Sequence, residues 1–407
     1  MRKSEETWAD VAVVGGGVAG LSAARELARR GLTVAVVEGA EPGAEASGAA
    51  AGMLAPQAEA DARDDFFDLL CASREMYPAF AEQLLEESGV DVELDRTGTL
   101  YLALAEGDVE EIERRFAWQS RAGLEVERLS AVEARELEPR VSPRVRAALR
   151  FPRDWQVESR RLVGALAVAA VARGARLLTK TEASGVRVAS GRAEGVETSR
   201  GFLAAGAVVL AAGARTSQVP LLFTGRECQE AGALALSHPR IEPVRGQMLC
   251  LRQTTSREPS NPPGPFVRHV VYSPRGYIVP RRDGRLLAGS TSERAGFDPS
   301  VTAGGVREIT SNAIEIAPEL AALRLADAWA GLRPRADDGL PVLGESSEVK
   351  NLFYATGHYR NGILLAPATG EIIADLLTGG TTRWPPRALE AFSPARFRRA
   401  LAGSQGN

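Results

Sequence analysis

The chain has 407 residues, 44% hydrophobic and 25% charged, with a formal net charge of -3 at pH 7. That balance excludes the basic footprint of a nucleic-acid binder, and arginines spread among acids read as solvated helix faces. Three cysteines (Cys71, Cys228 and Cys250) without a CxxC pair exclude a disulfide framework and a structural zinc site.

Residues 1–10 contain no apolar leader segment, and the longest apolar run, 162–172, is too short for a bilayer. A cytoplasmic protein with no membrane partner is therefore expected. Residues 10–14 form a short apolar run before Gly15, Gly16 and Gly17, the pattern of a buried strand. Val18, Leu21, Ala24, Leu27 and Ala28 then recur at helical spacing and stop at Arg29, Arg30 and Gly31. Residues 33–37 make a second strand, completing a βαβ unit. A loop rich in Gly, Ala and Ser spans 39–52. Residues 66–88 read as a helix, 92–104 as strands about a Thr-Gly turn, and 108–122 as a charged helix. A helix over 160–172 leads to a strand at 175–179, with short strands near 185–188, 193–197 and 207–210. Strand-like runs follow at 247–251, 267–272, 277–280 and 285–288, interrupted by a Pro-rich loop at 258–265. The last βα unit joins a strand at 352–355 to a helix near 367–377. This order predicts an α/β chain of two discontinuous domains, one doubly wound and one a sheet-based lid.

Gly15, Gly17 and Gly20 fit G-x-G-x-x-G between a strand and a helix, and Glu38 closes the next strand. Gly15 permits the tight turn, Gly17 close approach of a pyrophosphate, and Gly20 close helix–strand packing. The helix N-terminus offers N–H donors, with Val18 and Ala19 in its first turn, and Glu38 suits ribose hydroxyls, which disfavours a 2′-phosphate. The fingerprint does not separate FAD from NAD. Two strands ending in small-residue turns, at 208–213 (Gly213) and 352–357, read individually as ordinary turns. Their arrangement around the βαβ start resembles FAD enzymes.

Three longer motifs carry a resemblance to the amino-acid oxidases of the D-amino-acid oxidase superfamily, in its glycine-oxidase branch of thiamine-thiazole formation. They are Ala-Ala-Ala-Gly-Met-Leu-Ala-Pro at 49–56, Trp-Ala-Gly-Leu-Arg-Pro at 329–334 with Asp-Gly-Leu-Pro-Val-Leu-Gly at 338–344, and the segment 357–370 from Gly-His-Tyr-Arg-Asn-Gly-Ile. The resemblance covers nearly the whole chain. It implies a Rossmann-like FAD-binding domain over 1–90, 155–235 and 326–400, and a substrate-binding domain on a mixed β-sheet over 91–154 and 236–325. It implies non-covalent FAD, because no Cys stands where a related branch tethers its flavin. The ADP end would meet Gly15–Gly20, Glu38, Gly39 and Ser47, with Ala183 near the adenine. The flavin would lie near Ala51, Gly52, Met53, His358, Tyr359, Arg360, Asn361, Gly362 and Ile363. Free N–H groups at Gly362 and Ile363, before the helix carrying Pro367, would favour a reduced, anionic flavin.

The implied activity is oxidation of glycine, sarcosine or small D-amino acids to imine, 2-oxo acid, ammonia and hydrogen peroxide. The alternative is a D-amino-acid dehydrogenase with another acceptor. Expected partners are a small amino acid, oxygen and further copies of the chain in a homo-oligomer. Arg333 is the candidate carboxylate anchor, as a bidentate fork; the residues alone equally allow an internal salt bridge to Asp337 or Asp338. Tyr277 is a second carboxylate donor through the resemblance, where the residue alone reads as a half-buried strand tyrosine. Arg360 would shape the pocket or hold a loop carbonyl. Arg275 and Ser292 depart from the His and Met of close members of the branch. Arg275 either draws acidic substrates or pairs with a neighbour.

Overall fold

The computed structural model describes residues 8–224, 238–253, 265–380 and 382–397. Cys228 and all of the Pro-rich run except Pro265 lie outside these residues.

Two large sheets organise the chain. In the nine-stranded sheet, Trp8–Val14 lies between Gly201–Leu210 and Val34–Val37, all parallel, with Val14 opposite both Leu210 and Val37. Val, Ala and Leu on both faces of these strands are buried, as a sheet covered on both sides requires. Arg176–Leu178 extends one side, and Leu352–Thr356 adds to Gly201–Leu210 in parallel. The antiparallel strands Ala183–Ala189 and Arg192–Thr198 continue the sheet beyond Gly201–Leu210. Helix Val18–Arg29 packs on one face with Ser159–Ala172 and Ala366–Thr378, closing a core of Leu21, Leu27, Leu162, Leu166, Ile372 and Ile373.

Helix Asp65–Ser88 lies outside that layer. Asp64 caps it by accepting the Phe67 N–H at 2.7 Å, and Gly89 ends it at φ 69°. Its buried face carries Ser73 and Tyr77 toward the segment before helix Ala366–Thr378.

The second, eight-stranded mixed sheet runs from Arg324–Ala336 at one edge through Ile241–Arg252, Arg285–Gly289, Gly276–Pro280, Val270–Ser273, Thr99–Ala103 and Ala147–Phe151 to Glu127–Ser130. The α/β architecture with mixed sheets is thus that of the sequence reading, with three differences. A domain boundary at 326 falls inside Arg324–Ala336, whose residues pair along Ile241–Arg252 in the second sheet; the hydrogen-bond ladder keeps the whole strand there. Within 92–104 only Thr99–Ala103 is a strand, because Asp91 and Asp95 bind the N–H groups of Glu93 and Thr97 and turn the chain. Helix Ala303–Ile316 and strands Glu127–Ser130 and Ala147–Phe151 were not foreseen from the sequence. Among the described residues no helix is long and apolar enough to cross a membrane, and no cluster suits a metal ion.

Candidate active site

One elongated cavity of about 650 Å³ runs from the fingerprint turn to the second sheet. At the fingerprint end a Cβ on Gly15 would collide with the Ala211 carbonyl, and one on Gly20 with the Gly15 carbonyl. Gly20 therefore serves helix–strand packing, and is the one residue of the predicted set that does not line the cavity. Gly15, Gly17, Val18 and Ala19 do. The Val18 N–H is held by Ser47 Oγ at 3.0 Å, while the Ala19 N–H meets no protein acceptor among the described residues. No side chain caps this helix at Gly17. Such an open helix start is a ready anion seat.

Glu38 accepts the N–H groups of Gly16 at 2.6 Å and Ala40 at 2.8 Å, which fixes its carboxylate in the wall. Each oxygen keeps a lone pair for a further hydroxyl donor. Gly39, Ser47 and Ala183 line the same end, with Gly213 across from them. An open helix start, a fixed carboxylate beyond it and glycine where a Cβ would intrude fit a dinucleotide.

The middle wall is Ala51, Gly52 and Met53 on one side and His358 to Ile363 on the other. His358 Nε2 lies 2.8 Å from Thr369 Oγ1, and complete burial pulls the imidazole down to about 4. It is a neutral structural group at physiological pH. Asn361 donates its N–H to the His358 carbonyl at 2.9 Å, whereas the N–H groups of Gly362 and Ile363 have no acceptor among the described residues. The carbonyls of this turn are held from behind. Tyr77 donates to Ile363 O, Ser73 to Leu364 O at 2.7 Å and Ser22 to Ala366 O at 2.6 Å. The Ile363 carbonyl also accepts the Ala366 N–H at 3.1 Å, and Tyr77 stands in for the donor that Pro367, four residues on, lacks. Tyr77 is fully buried, which raises its hydroxyl well above the ordinary range and keeps it a donor.

At the far end stand Arg333, Tyr277 and Met248. Arg333 donates to Thr291 O at 3.1 Å and Ser290 Oγ at 2.7 Å, both neutral. The internal salt bridges open to it are taken by other arginines: Asp337 lies 3.9 Å from Arg240, and Asp338 is bound by Arg396 at 2.6 Å. The guanidinium lies across Gly246, where a Cβ would intrude on it. Tyr277 is 6% exposed and places its hydroxyl 3.4 Å from Met248 Sδ. Its ring stacks on Tyr272, which stacks on Tyr101, with centroids 5.8 and 5.4 Å apart.

Arg360 lines the cavity but is spoken for. It donates to Glu59 at 3.0 Å and to Tyr272 Oη at 2.9 Å, and the Glu59 charge raises its pKa further. Glu59, which sequence reasoning missed, sits in the short helix Pro56–Glu59. The buried Asp154 carboxylate fixes that helix through the N–H groups of Gln57 and Ala58 at 3.3 and 2.8 Å. No local signal tied Glu59 to Arg360, 301 residues away. Arg275 and Ser292 do not line the cavity. Arg275 binds Asp108 and Glu315, each at 2.9 Å, which is the pairing with a neighbour that the sequence left open.

The comparisons agree with this geometry. The family model described as DAO, FAD dependent oxidoreductase, matches residues 10–376. Glycine oxidase of Geobacillus kaustophilus is 39% identical over 90% of this chain and 92% of that protein. Glycine oxidase of Pseudomonas putida is 35% identical over 91% and 94%. The crystal structure of the Geobacillus kaustophilus glycine oxidase superposes with a TM-score of 0.85 at 37% identity, covering 96% of this chain and 99% of that one. With a dinucleotide cavity and a family match over most of its length, this chain belongs to the DAO family of FAD-dependent oxidoreductases, and FAD is its cofactor.

Proposed function

We propose that the chain is an amino-acid oxidase acting on glycine, and on sarcosine and small D-amino acids, with oxygen as acceptor and a role in forming the thiazole of thiamine. The products are the imine, hydrolysed to 2-oxo acid and ammonia (methylamine in the case of sarcosine), and hydrogen peroxide. The same reading takes FAD as non-covalent, the location as cytoplasmic and the assembly as a homo-oligomer. The observation that carries it is Arg333, a cavity guanidinium whose protein partners are both neutral. Its charge calls for an anion, and the fork geometry matches a carboxylate.

FAD, when bound, supplies the hydride acceptor and the route of the electrons to oxygen. The chain supplies orientation. Arg333 grips the substrate carboxylate, and the Tyr277 hydroxyl is the second donor, exchanging its contact with Met248 sulfur for a carboxylate oxygen. Two fixed oxygens restrain rotation of the Cα–H bond. Tyr277 and Met248, both nearly fully buried, keep water from this end. Arg360 and Glu59 neutralise each other, so among the described residues that line this end Arg333 is the cation left for a monocarboxylate. No free base lines this end among the described residues: His358 is turned to Thr369 and Glu59 is paired. The substrate amine must therefore lose its proton to water before oxidation. No cysteine lines the cavity among the described residues, which supports non-covalent FAD.

The test is a peroxide assay over glycine, sarcosine and D-alanine with the Arg333→Ala variant beside the wild type. Peroxide from the wild type, and a kcat/KM lowered at least tenfold in the variant, are the expected results. No peroxide from any of the three amines contradicts the oxidase reading, and an unchanged variant contradicts the anchor.

A further inference from the structure

Five arginines are almost fully buried among the described residues: Arg25, Arg74, Arg115, Arg245 and Arg281. Four hold a carboxylate, Glu87, Asp154, Glu111 and Glu293 respectively, within 3.2 Å. Arg281 holds none. It follows strand Gly276–Pro280 and is 5% exposed. Nη1 donates to Gln156 Oε1 at 2.9 Å and Val157 O at 3.0 Å, Nη2 donates to Ala51 O, and Nε has no partner. The acids nearest in charge terms, Glu158, Glu93 and Asp283, are bound by Arg285 or Arg161. Burial lowers its pKa to about 10, so the group is still charged at neutral pH.

A buried cation among neutral acceptors is unfavourable unless a negative charge faces it. What lies beyond Ala51 is the middle of the cofactor cavity, which Ala51 and Gly52 line and Arg281 does not. The Ala51 carbonyl turns away from the cavity to reach the guanidinium. In a trans peptide the N–H points opposite to the C=O, so the Gly52 N–H is directed back at the cavity. That N–H donates to no protein atom among the described residues. The unit is rigid. Gly52 sits at φ 77°, its carbonyl accepts the Val157 N–H at 2.9 Å, and a Cβ there would strike the Val157 carbonyl. A cation on the oxygen withdraws electron density through the amide and makes the far N–H a stronger donor.

We propose that Arg281 is a positioning residue for electron acceptance: it fixes and polarises the Ala51–Gly52 peptide so that the Gly52 N–H donates into the cavity, and its charge favours the reduced, anionic cofactor. The inference rests on FAD occupying this cavity. Arg281 touches neither substrate nor cofactor, so its signature is in the reduction potential rather than in substrate binding.

The test compares holoenzyme of the wild type, Arg281→Lys and Arg281→Gln by dye-equilibrated potentiometry, with FAD content and melting temperature recorded alongside. Arg281→Gln keeps a donor for the Ala51 carbonyl and drops the charge. It is expected to disfavour two-electron reduction about tenfold, a fall of about 30 mV. Arg281→Lys keeps the charge and is expected to lie closer to the wild type. A Gln variant that holds FAD at the wild-type potential overturns the proposal, and so do Lys and Gln variants shifted equally. If the Gln variant holds no FAD while the Lys variant does, the need for charge stands. If both lose FAD alike, the charge claim fails and only a tether is left. A wild-type protein that holds no FAD fails the cofactor reading itself, a distinct result.

Discussion

Substitution of Gly246 by Ala probes the carboxylate anchor without touching the anchor itself. Gly246 pairs with Gly331 in the second sheet, and the Arg333 side chain crosses the space where its Cβ would stand. That Cβ would fall well inside 3.0 Å of Arg333 Cζ and both Nη atoms, whereas ordinary contact begins near 3.4 Å. The guanidinium must retreat by roughly 1 Å, about the difference between a good contact and none. Its bonds to Ser290 Oγ and Thr291 O move with it, and so does its fit to a substrate carboxylate. The backbone at 246 is an ordinary strand, and the obstructing atoms end a flexible side chain, so the fold should lose less than about 1 kcal/mol. A charge-assisted hydrogen bond is worth about 1.5–3 kcal/mol, which gives roughly 10- to 150-fold in kcat/KM. Steady-state kinetics with glycine, together with a thermal melt of the same holoprotein, measures both. A variant with unchanged kcat/KM and melting temperature would refute the placement of Arg333 over Gly246 or its part in binding.

Three other outcomes follow, two from contacts behind the cavity and one from the groups that line it. Tyr77→Phe leaves the Ile363 carbonyl with the Ala366 N–H alone, since Pro367 cannot supply a second donor, and should cost about 0.5–1.5 kcal/mol in urea unfolding. His358 has a folded pKa of about 4 against about 6.5 unfolded, so the unfolded chain binds the extra proton and stability falls as pH drops between these values, by up to about 3 kcal/mol. Urea unfolding of wild type against His358→Gln at pH 7 and pH 4.5 isolates that loss. The comparison also removes the contribution of Asp154, whose carboxyl is pushed up to about 7 by burial and acts in the opposite sense. Finally, kcat/KM for glycine should rise from pH 6 to pH 10 as the neutral amine grows; a flat profile would count against deprotonation before oxidation.

Features written locally in the chain could be read from it. The fingerprint Gly15–Gly20, the strands around it and Glu38 lie within one βαβ unit, where periodicity and turn chemistry decide the structure. The motif around Arg333 was legible as a candidate, but its choice between Asp337, Asp338 and a cavity depended on Arg240 and Arg396 taking those acids. Arg275 stayed open for the same reason: Asp108 precedes it by 167 residues. The second sheet was read in fragments because its pairings, such as Thr99–Ala103 with Val270–Ser273, join distant segments that local pattern cannot match. Tyr77 and Arg281 carry no local signal in the sequence, and their roles exist only once Ile363 and Ala51 are brought to them.

The most direct measurement mixes purified protein with glycine in the absence of oxygen and follows the visible absorption of the oxidised flavin. The account predicts bleaching that the Arg333→Ala variant shows at least tenfold more slowly at low glycine. A flavin that stays oxidised with every small amino acid, or one that bleaches equally fast in the variant, would contradict it.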